Sequence, residues 1–151
     1  MNDSPKGDLI RFQGGFADLL GYELADWQED YAEITLAVRR KHLNRSGLVH
    51  GGVITTLIDT ACGYAGNYCS VPGNVRRSLT LSLTTQFIAA AREGALLSAK
   101  GRRIGGGRSV FFADCELRDQ NGTLIGKGEG SFKYRSGSES PEGHPPSGDE
   151  Q

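Results

Sequence analysis

The sequence has 151 residues, of which 37% are hydrophobic and 23% are charged, and its formal net charge is −1. A chain of this length fits one globular domain with its own core, and a second domain is not expected. The nearly neutral charge gives no general attraction to nucleic acid or to an anionic membrane, so any binding of phosphate depends on local arginines and lysines.

The cysteines, Cys62, Cys69 and Cys115, are odd in number and include no Cys-x-x-Cys pair. This usage supports neither a disulfide framework nor a zinc site, and it is typical of a reducing compartment. The first residues do not resemble a secretory signal, and no apolar stretch approaches the roughly 20 residues that span a bilayer. The sequence therefore predicts a cytoplasmic protein with no metal site and no membrane segment.

The first half of the chain predicts a short helix, one strand and one long helix. Residues 8–20 favour a helix that Gly14 and Gly15 weaken. From Tyr31 to Val38, hydrophobic residues alternate with others, as in a strand with one buried face. After a turn over residues 44–50, a helical pattern runs from about Gly51 to Cys69.

The second half of the folded chain reads as strands only. Four are predicted, over residues 79–87, 95–103, 109–117 and 124–134. The turn signals between them are Gly105–Gly107 and the Asn-Gly pair at 121–122. Consecutive strands with short turns predict an antiparallel meander whose apolar face one helix covers, which is an α+β fold.

The chain ends in a stretch that is rich in serine, glycine, proline and acidic residues. Such a composition offers little to bury and predicts a disordered tail over residues 136–151. The predicted organisation is therefore an N-terminal segment over residues 1–19, a folded domain over 20–135 and this tail. His144 falls in the tail and is a poor catalytic candidate.

The long helix carries an aspartate on a face of small residues. At 100° per residue, one arc is broadly apolar, and the other collects Gly52, Thr55, Thr56, Asp59, Thr60 and Gly63. A solvent face would ordinarily carry long polar side chains, so this face indicates close approach of another surface or a ligand. The alternative is that the small residues only permit tight packing and that Asp59 faces water.

The start of the helix suits a developing negative charge, because Gly51 and Gly52 leave backbone N–H groups uncovered at the positive end of the helix dipole. Asp59 lies eight residues after Gly51, about 12 Å along the axis at the helical rise. A carbonyl and a water, each about 3 Å from its partner, barely bridge that gap. Antiparallel helices in a two-fold dimer would bring the two groups together in two equivalent sites.

The spacing Asn44-x-x-Gly-x-x-His50-Gly51-Gly52, followed by Leu57-x-Asp59, resembles the hotdog-fold acyl-CoA thioesterases of the phenylacetate-degradation (PaaI-like) type. The likeness extends over about residues 20–134. It implies a curved antiparallel sheet wrapped around one long central α-helix, with active sites between two subunits. It also implies a homo-oligomer, either a dimer or a dimer of dimers.

The resemblance assigns roles to five residues of the site. Asp59 is the general base or the nucleophile of thioester hydrolysis, and the amide of Gly51 is the oxyanion donor. Asn44 helps to polarise the thioester carbonyl, and His50 lies near the leaving thiolate or orders the loop. Thr80 positions the water.

The same resemblance places the nucleotide of coenzyme A near one turn and near one further arginine. These positions are Gly106, Gly107, Arg108, Ser109 and Arg92. The segment before Arg92 lacks the proline that relatives usually carry there. The substrate is then an acyl-CoA, and no cofactor is implied beyond the coenzyme A that belongs to it.

Simpler interpretations remain open for several of these residues. His50 before a helix often only bonds the loop, Asn44 forms Asx turns readily, and Gly105–Gly107 is first of all a hairpin turn. Two other functions are also open, an enoyl-thioester hydratase or dehydratase that uses His50 and Asp59, and a non-catalytic acyl-CoA-binding protein.

Overall fold

One antiparallel sheet wrapped around a central helix carries the fold. The computed structural model describes residues 10–11 and 15–148. Its helices and strands, in chain order, are β1 (Ile10–Arg11), α1 (Gly15–Leu20), β2 (Glu23–Gln28), β3 (Tyr31–Ala37), α2 (Gly51–Gly66), β4 (Ser78–Phe87), β5 (Leu96–Gly106), β6 (Val110–Arg118) and β7 (Leu124–Tyr134). The predicted α+β class, a curved antiparallel sheet around one long central helix, is confirmed.

The order of the strands differs from the predicted meander. In the described residues it is β1-β2-β3-β5-β6-β7-β4, so β4 pairs with β7 and not with β5. The connection over residues 88–95 is too long for a tight hairpin, and other elements bond it at the end of the sheet. Val49 N–H donates to Ala91 O, and Val38 N–H donates to Ala95 O. As a result β4 forms an edge of the sheet beside α2.

The apolar face of α2 packs on the concave side of the sheet and forms the centre of the core. Leu57, Ile58 and Ala61 are fully buried. Gly128 of β7 makes this close approach possible, because a Cβ atom there would lie 2.9 Å from Ile58 Cγ2. On the sheet itself Phe111 stacks on Phe132 with ring centroids 4.9 Å apart. The helix is therefore held rigidly along its buried face, which fixes what its outer face presents.

Helix α2 ends three residues before the predicted Cys69. Its last carbonyl, Gly66 O, accepts from Tyr134 Oη at 2.7 Å and from Arg76 Nη1 at 3.3 Å. Asn67 N–H bonds back to Tyr64 O as the chain turns away. Side chains that are distant in the sequence thus donate hydrogen bonds to the last carbonyl of the helix. Hydrophobic periodicity does not predict these bonds.

The N-terminal prediction is only partly right. Helix α1 covers Gly15–Leu20, whereas Ile10 and Arg11 pair with β2 as a short strand where a helix was predicted. The remaining residues of the predicted helix, 8–9 and 12–14, lie outside the described residues. Strand β2 was not predicted, and only one of its six residues is buried, so it lacks a clear alternating pattern.

The tail prediction differs from the structure over residues 136–148, which we call the C-terminal strap. The strap runs along the loop between α2 and β4, where Val75 and His144 exchange two backbone hydrogen bonds. Ser138 is fully buried, and its hydroxyl accepts from Arg77 N–H. Polar backbone bonding holds the strap, with little apolar burial, which explains why its composition predicted disorder. Residues 149–151 lie outside the described residues.

Candidate functional site

His50 caps the start of helix α2. Its backbone is extended, and its Nδ1 accepts a 2.7 Å hydrogen bond from Gly52 N–H. A Cβ atom on Gly52 would lie 2.9 Å from the same Nδ1, so glycine lets the ring sit over the first turn. The capping of the loop, one of the interpretations left open, is therefore present. A role beside the leaving group stays a prediction.

Gly51 is the first residue of α2, and its N–H has no acceptor among the described residues. It opens onto a cleft of about 370 Å³. The cleft is otherwise lined by Asn44, Leu48, Val49, Ile54, Phe87 and the segment 88–91. A Cβ atom on Gly51 would be 3.2 Å from the Phe87 ring, so the ring lies against the helix start. An uncovered amide at a helix N-terminus, beside an apolar cleft, suits a carbonyl oxygen that gains negative charge.

Asn44 lies in the loop that precedes the helix and lines the same cleft. Its Oδ1 accepts from Ser46 N–H at 2.9 Å and from Leu48 N–H at 3.2 Å. The Asx turn, one of the interpretations left open, is thus formed, and it leaves the amide nitrogen Nδ2 as the donor of this side chain. The turn and the predicted polarising role use opposite ends of one amide, so they are compatible.

Asp59 lies in the middle of α2 and is bonded to the edge strand. Thr80 Oγ1 donates to Asp59 Oδ1 at 2.7 Å, so the structure brings together two of the predicted site residues. Asp59 is half-buried and Thr80 is exposed. This hydrogen bond holds the carboxylate in one orientation near the surface of the chain.

The five predicted catalytic residues form two groups on one chain. We call Asn44, His50 and Gly51 the donor half and Asp59 with Thr80 the acid half. Helix α2 is continuous from Gly51 to Gly66, so the two halves stay about 12 Å apart along its axis at the helical rise. Loop movement does not close this distance, because one rigid element carries both ends.

The outer face of α2 carries short side chains and is only partly covered within the chain. None of its six small residues, Gly52, Thr55, Thr56, Asp59, Thr60 and Gly63, is buried. Thr56 Oγ1 bonds to Gly52 O and Thr60 Oγ1 bonds to Thr56 O, so both hydroxyls are used within the helix. Beside it, edge strand β4 exposes Leu79 and Leu81, each at 57%. A small-residue helix face beside an exposed apolar edge strand suits close packing against another surface.

The predicted coenzyme A contacts lie at opposite ends of α2. Gly107 and Arg108 line a cleft together with Gly66 at the C-terminal end of the helix. The neighbouring Ser109 accepts from Tyr134 N–H through its carbonyl oxygen. Arg92 follows Ala91, which lines the cleft at Gly51. Within one chain, therefore, the structure does not bring Arg92 together with the turn.

Gly106 lies outside that turn, in contrast to the prediction. Strand β5 continues through Gly106, with a bulge after Arg103, so the turn itself is Gly107–Ser109. Gly106 has a φ of 141°, and a Cβ atom there would lie 2.9 Å from Phe111 Cβ. Its role in the structure is close packing between two strands.

Phe87 and the segment 88–91 are the main site residues that the motif did not mark. The chain here reads Phe-Ile-Ala-Ala-Ala, an apolar run that leaves the strand pattern just before the charged Arg92 and Glu93. Such a run outside a strand or helix is the signal that could have pointed to a cleft.

The described residues near Asp59 offer neither a nucleophilic cysteine nor a group of metal ligands. Cys62, one turn further along α2, is fully buried, and its pKa is raised by a hydrogen bond with Cys115, then by burial and by nearby Asp59. It stays a thiol and is no nucleophile at neutral pH. Among the described residues, no three His, Cys, Asp or Glu side chains are grouped so that they could hold a metal ion.

Comparisons with known proteins agree with this geometry. The thioesterase superfamily matches residues 46–125, which are more than half of the chain. PA0474 of Pseudomonas aeruginosa, a candidate esterase by name, is 30% identical over 135 residues, which cover 87% of this chain and 98% of that protein. Within the described residues, no helix is long and apolar enough to cross a membrane.

Two solved structures share the fold. The Escherichia coli PaaI protein from the phenylacetic acid degradation operon has a TM-score of 0.72 at 22% identity, over 81% of this chain and 85% of that one. The protein smu.793 of Streptococcus mutans UA159, bound to acetyl CoA, has a TM-score of 0.67 at 20% identity, over 83% and 91%. The predicted resemblance and the predicted hotdog fold are confirmed.

Proposed function

Because this chain belongs to the thioesterase superfamily and is a thioester hydrolase, we propose that its substrates are acyl-CoA esters, which it cleaves to a carboxylic acid and coenzyme A. The acetyl CoA bound to the related fold of smu.793 supports this class of substrate. The observation that carries the proposal is the division of the site into a donor half and an acid half on one rigid helix.

In the donor half, the thioester carbonyl oxygen accepts from Gly51 N–H and from Asn44 Nδ2. Both groups line the cleft of about 370 Å³, and the helix dipole adds positive potential at this end. A donor that is fixed before the reaction stabilises the tetrahedral oxyanion more than the neutral carbonyl. The acyl group lies against the apolar wall that Phe87 and residues 88–91 provide.

In the acid half, the carboxylate of Asp59 starts the reaction. It removes a proton from a water that attacks the carbonyl carbon, or it attacks that carbon itself and the resulting anhydride is then hydrolysed. The bond from Thr80 holds Oδ1 and leaves Oδ2 for the reaction. The C–S bond then breaks and coenzyme A leaves as a thiolate, which is a competent leaving group without a strong protein acid.

The two halves meet across a homodimer with antiparallel α2 helices. In that arrangement Gly51 of one chain lies opposite Asp59 of its partner, and two equivalent sites form. The small outer face of α2 permits the approach, and the exposed β4 edge continues the contact. The resemblance further implies that two such dimers form a tetramer, and sedimentation measures which assembly exists.

The direct test is thiol release from a panel of aliphatic and aryl acyl-CoA esters, by wild type and by Asp59→Asn. We expect at least one ester to be hydrolysed, and the variant to lose activity by about a hundredfold or more. Equal activity in both proteins contradicts the role of Asp59. Tight acyl-CoA binding without turnover in wild type indicates a binding protein, and hydration of an enoyl-CoA without thiol release indicates a hydratase.

A single turnover in water labelled with oxygen-18 identifies the covalent route through Asp59 when water opens the anhydride at the aspartyl carbon. Attack by water places the label in the product acid within the first turnover. Attack by the carboxylate, followed by attack of water at the aspartyl carbon of the anhydride, places an unlabelled aspartate oxygen in the first product and the label in Asp59, which peptide mass spectrometry detects. Attack of water at the acyl carbon of the anhydride places the label in the product acid, as the general-base route does.

A further inference from the structure

One fully buried histidine takes no part in the proposed hydrolysis. His42 lies in a short 3₁₀ helix, Arg40–His42, between β3 and the loop that carries Asn44, and it is 1% exposed. Ser138 of the C-terminal strap is a second buried polar residue among those that the structure describes. A buried polar side chain is kept in place by its hydrogen bonds, so the partners of His42 show what its ring holds.

Both ring nitrogens of His42 have partners, and the partners fix the position of the proton. The backbone nitrogen of Arg39 lies 2.8 Å from Nδ1, and its N–H can only donate, so Nδ1 is an acceptor without a proton. The proton of the ring is therefore on Nε2, which donates to Leu20 O at 2.7 Å. The ring thus bonds the start of its own 3₁₀ helix on one side and the end of helix α1 on the other.

The end of helix α1 is held at this point by two neighbouring side chains. Leu20 is the last residue of α1, and Lys41 Nζ donates to Leu19 O at 2.7 Å beside the bond from His42. Carbonyls at a helix end have no later helical N–H to bond them, so side chains take that place. Leu20 itself packs against the core. The bond from His42 therefore ends on a fixed point of the fold.

The main chain of His42 is bonded to the donor half. Its carbonyl oxygen accepts from His50 N–H at 2.9 Å, directly before the first residue of α2. Between the two histidines, residues 43–49 form a loop whose two ends pair with each other. Asn44 comes two residues after His42. The base of this loop therefore sets where the Asn44 amide lies relative to Gly51 N–H.

We propose that His42 is a positioning residue of the thioesterase reaction, which holds the base of loop 43–49 and thereby aligns Asn44 Nδ2 with Gly51 N–H. The proposal rests on the proposed function, because it concerns the same donor half. The ring touches neither the substrate nor the reacting atoms, and it acts through Asn44. Two oxyanion donors must point to one oxygen, and a displacement of about 1 Å costs about a hundredfold in rate. Loss of the ring's bonds therefore lowers kcat more than it changes KM, since the donors matter most when charge develops.

A double-mutant cycle between His42 and Asn44 tests this route. His42→Leu removes both ring bonds and keeps a similar volume, and Asn44→Ser removes the amide nitrogen but keeps an oxygen that can accept the bonds of the turn. We expect His42→Leu to lower kcat for an acyl-CoA ester by about tenfold or more in the wild-type chain, and by about threefold or less in the Asn44→Ser chain. Equal losses in both backgrounds would overturn the proposal, because the ring would then act independently of Asn44.

A conservative variant separates positioning from stability. His42→Asn keeps an acceptor near the place of Nδ1 for Arg39 N–H, so we expect kcat to recover to within about threefold of wild type. Ser138→Ala is the matched control, because it removes another buried acceptor, which bonds Arg77 N–H at 3.0 Å. We expect it to lower the midpoint of urea unfolding, as His42→Leu does, and to leave kcat unchanged. A control that loses kcat as His42→Leu does, or a His42→Asn variant as slow as His42→Leu, would contradict the role of the ring.

Hydrogen exchange of the His50 amide, which is bonded to His42 O, gives a readout that needs no hydrolysis. We expect His42→Leu to speed this exchange by about tenfold or more, and Ser138→Ala to leave it within about threefold of wild type. Such a difference supports the holding of the loop by the ring even if wild type cleaves no thioester, a result that would refute the proposed function alone. Equal exchange of the His50 amide in the two variants would overturn the proposal.

Discussion

Thr80 Oγ1 donates a 2.7 Å hydrogen bond to Asp59 Oδ1 and thereby joins the edge strand β4 to the middle of helix α2. The two residues are 21 positions apart in the sequence. Their contact exists because β4 turns back along α2 after the loop and pairs with β7 on its other side. The carboxylate of the acid half thus takes its orientation from the topology of the sheet.

The hydroxyl of Thr80 is testable with a matched pair of variants. Thr80→Val removes the donor and keeps a similar shape, and we expect kcat to fall by about tenfold to a hundredfold, the usual value of a hydrogen bond to a charged group. Thr80→Ser keeps the donor and stays within a few-fold of wild type. The measurement is steady-state thiol release, and equal rates for valine and serine would refute the orienting role.

The amide of Gly51 can be removed by a single substitution. Proline suits the first position of a helix, and His50 before it is already extended, with φ −61° and ψ 136°. We expect Gly51→Pro to lower kcat by about 10² to 10³, the usual cost of one oxyanion donor. Gly51→Ala is the control, since it adds a similar Cβ atom against Phe87 but keeps the N–H. If both variants lose the same activity, crowding and not the donor explains the loss.

The capping role of His50 can be tested separately from any chemical role. His50→Ala removes the acceptor of Gly52 N–H, and we expect it to lower the free energy of unfolding by about 1 kcal/mol. His50→Asn restores an acceptor and most of that stability. Urea unfolding measures both variants, and an asparagine variant as unstable as the alanine one would contradict the cap. The activity of His50→Asn, which is capped but has no imidazole, then reports on the leaving-group role.

The sequence predicted the parts of the fold that depend on local periodicity. The bounds of β7 agree with the prediction, and α2 begins at the predicted Gly51. The partner of β4 was predicted wrongly because two adjacent strands in the chain need not pair, and only the length of the connection 88–95 argued against it. The local pattern of hydrophobic residues predicts strands and helices, whereas the pairing of the strands depends on long-range packing.

The sequence predicted which residues form the site better than it predicted the contacts between them. Asp59 and Thr80, to which the resemblance assigns separate roles, lie in contact, and Gly51 and Asn44 line one cleft. The C-terminal strap was missed because its contacts are bonds from Arg76 and Arg77 to the strap's backbone and to Ser138. Such bonds leave no hydrophobic pattern for a compositional argument to find.

Stability above neutral pH should depend on Tyr134. Burial raises the pKa of Tyr134 above its ordinary value of 10.0, although Arg76 and Arg103 lower it, and its hydroxyl donates to Gly66 O. A raised pKa in the folded state means that this contribution is complete below about pH 10 and is lost as the pH rises through the folded value. We expect Tyr134→Phe to unfold more easily by about 1 kcal/mol at pH 8, and less so at pH 11. A difference that stays constant in urea unfolding at both pH values would contradict this.

The central claim is that each active site takes its donor half from one chain and its acid half from the other, and mixing two inactive variants tests it most directly. In a heterodimer of Gly51→Pro and Asp59→Asn chains, one site would carry both substitutions and the other would be intact. After denaturation and refolding of an equimolar mixture, we predict about a quarter of wild-type thiol release, since half of the dimers then hold one intact site of two. Each variant refolded alone keeps at most about a hundredth of the wild-type activity. Activity of the mixture that is no greater than the mean of the two variants alone, with heterodimers shown to be present by differently tagged chains, would contradict the shared site.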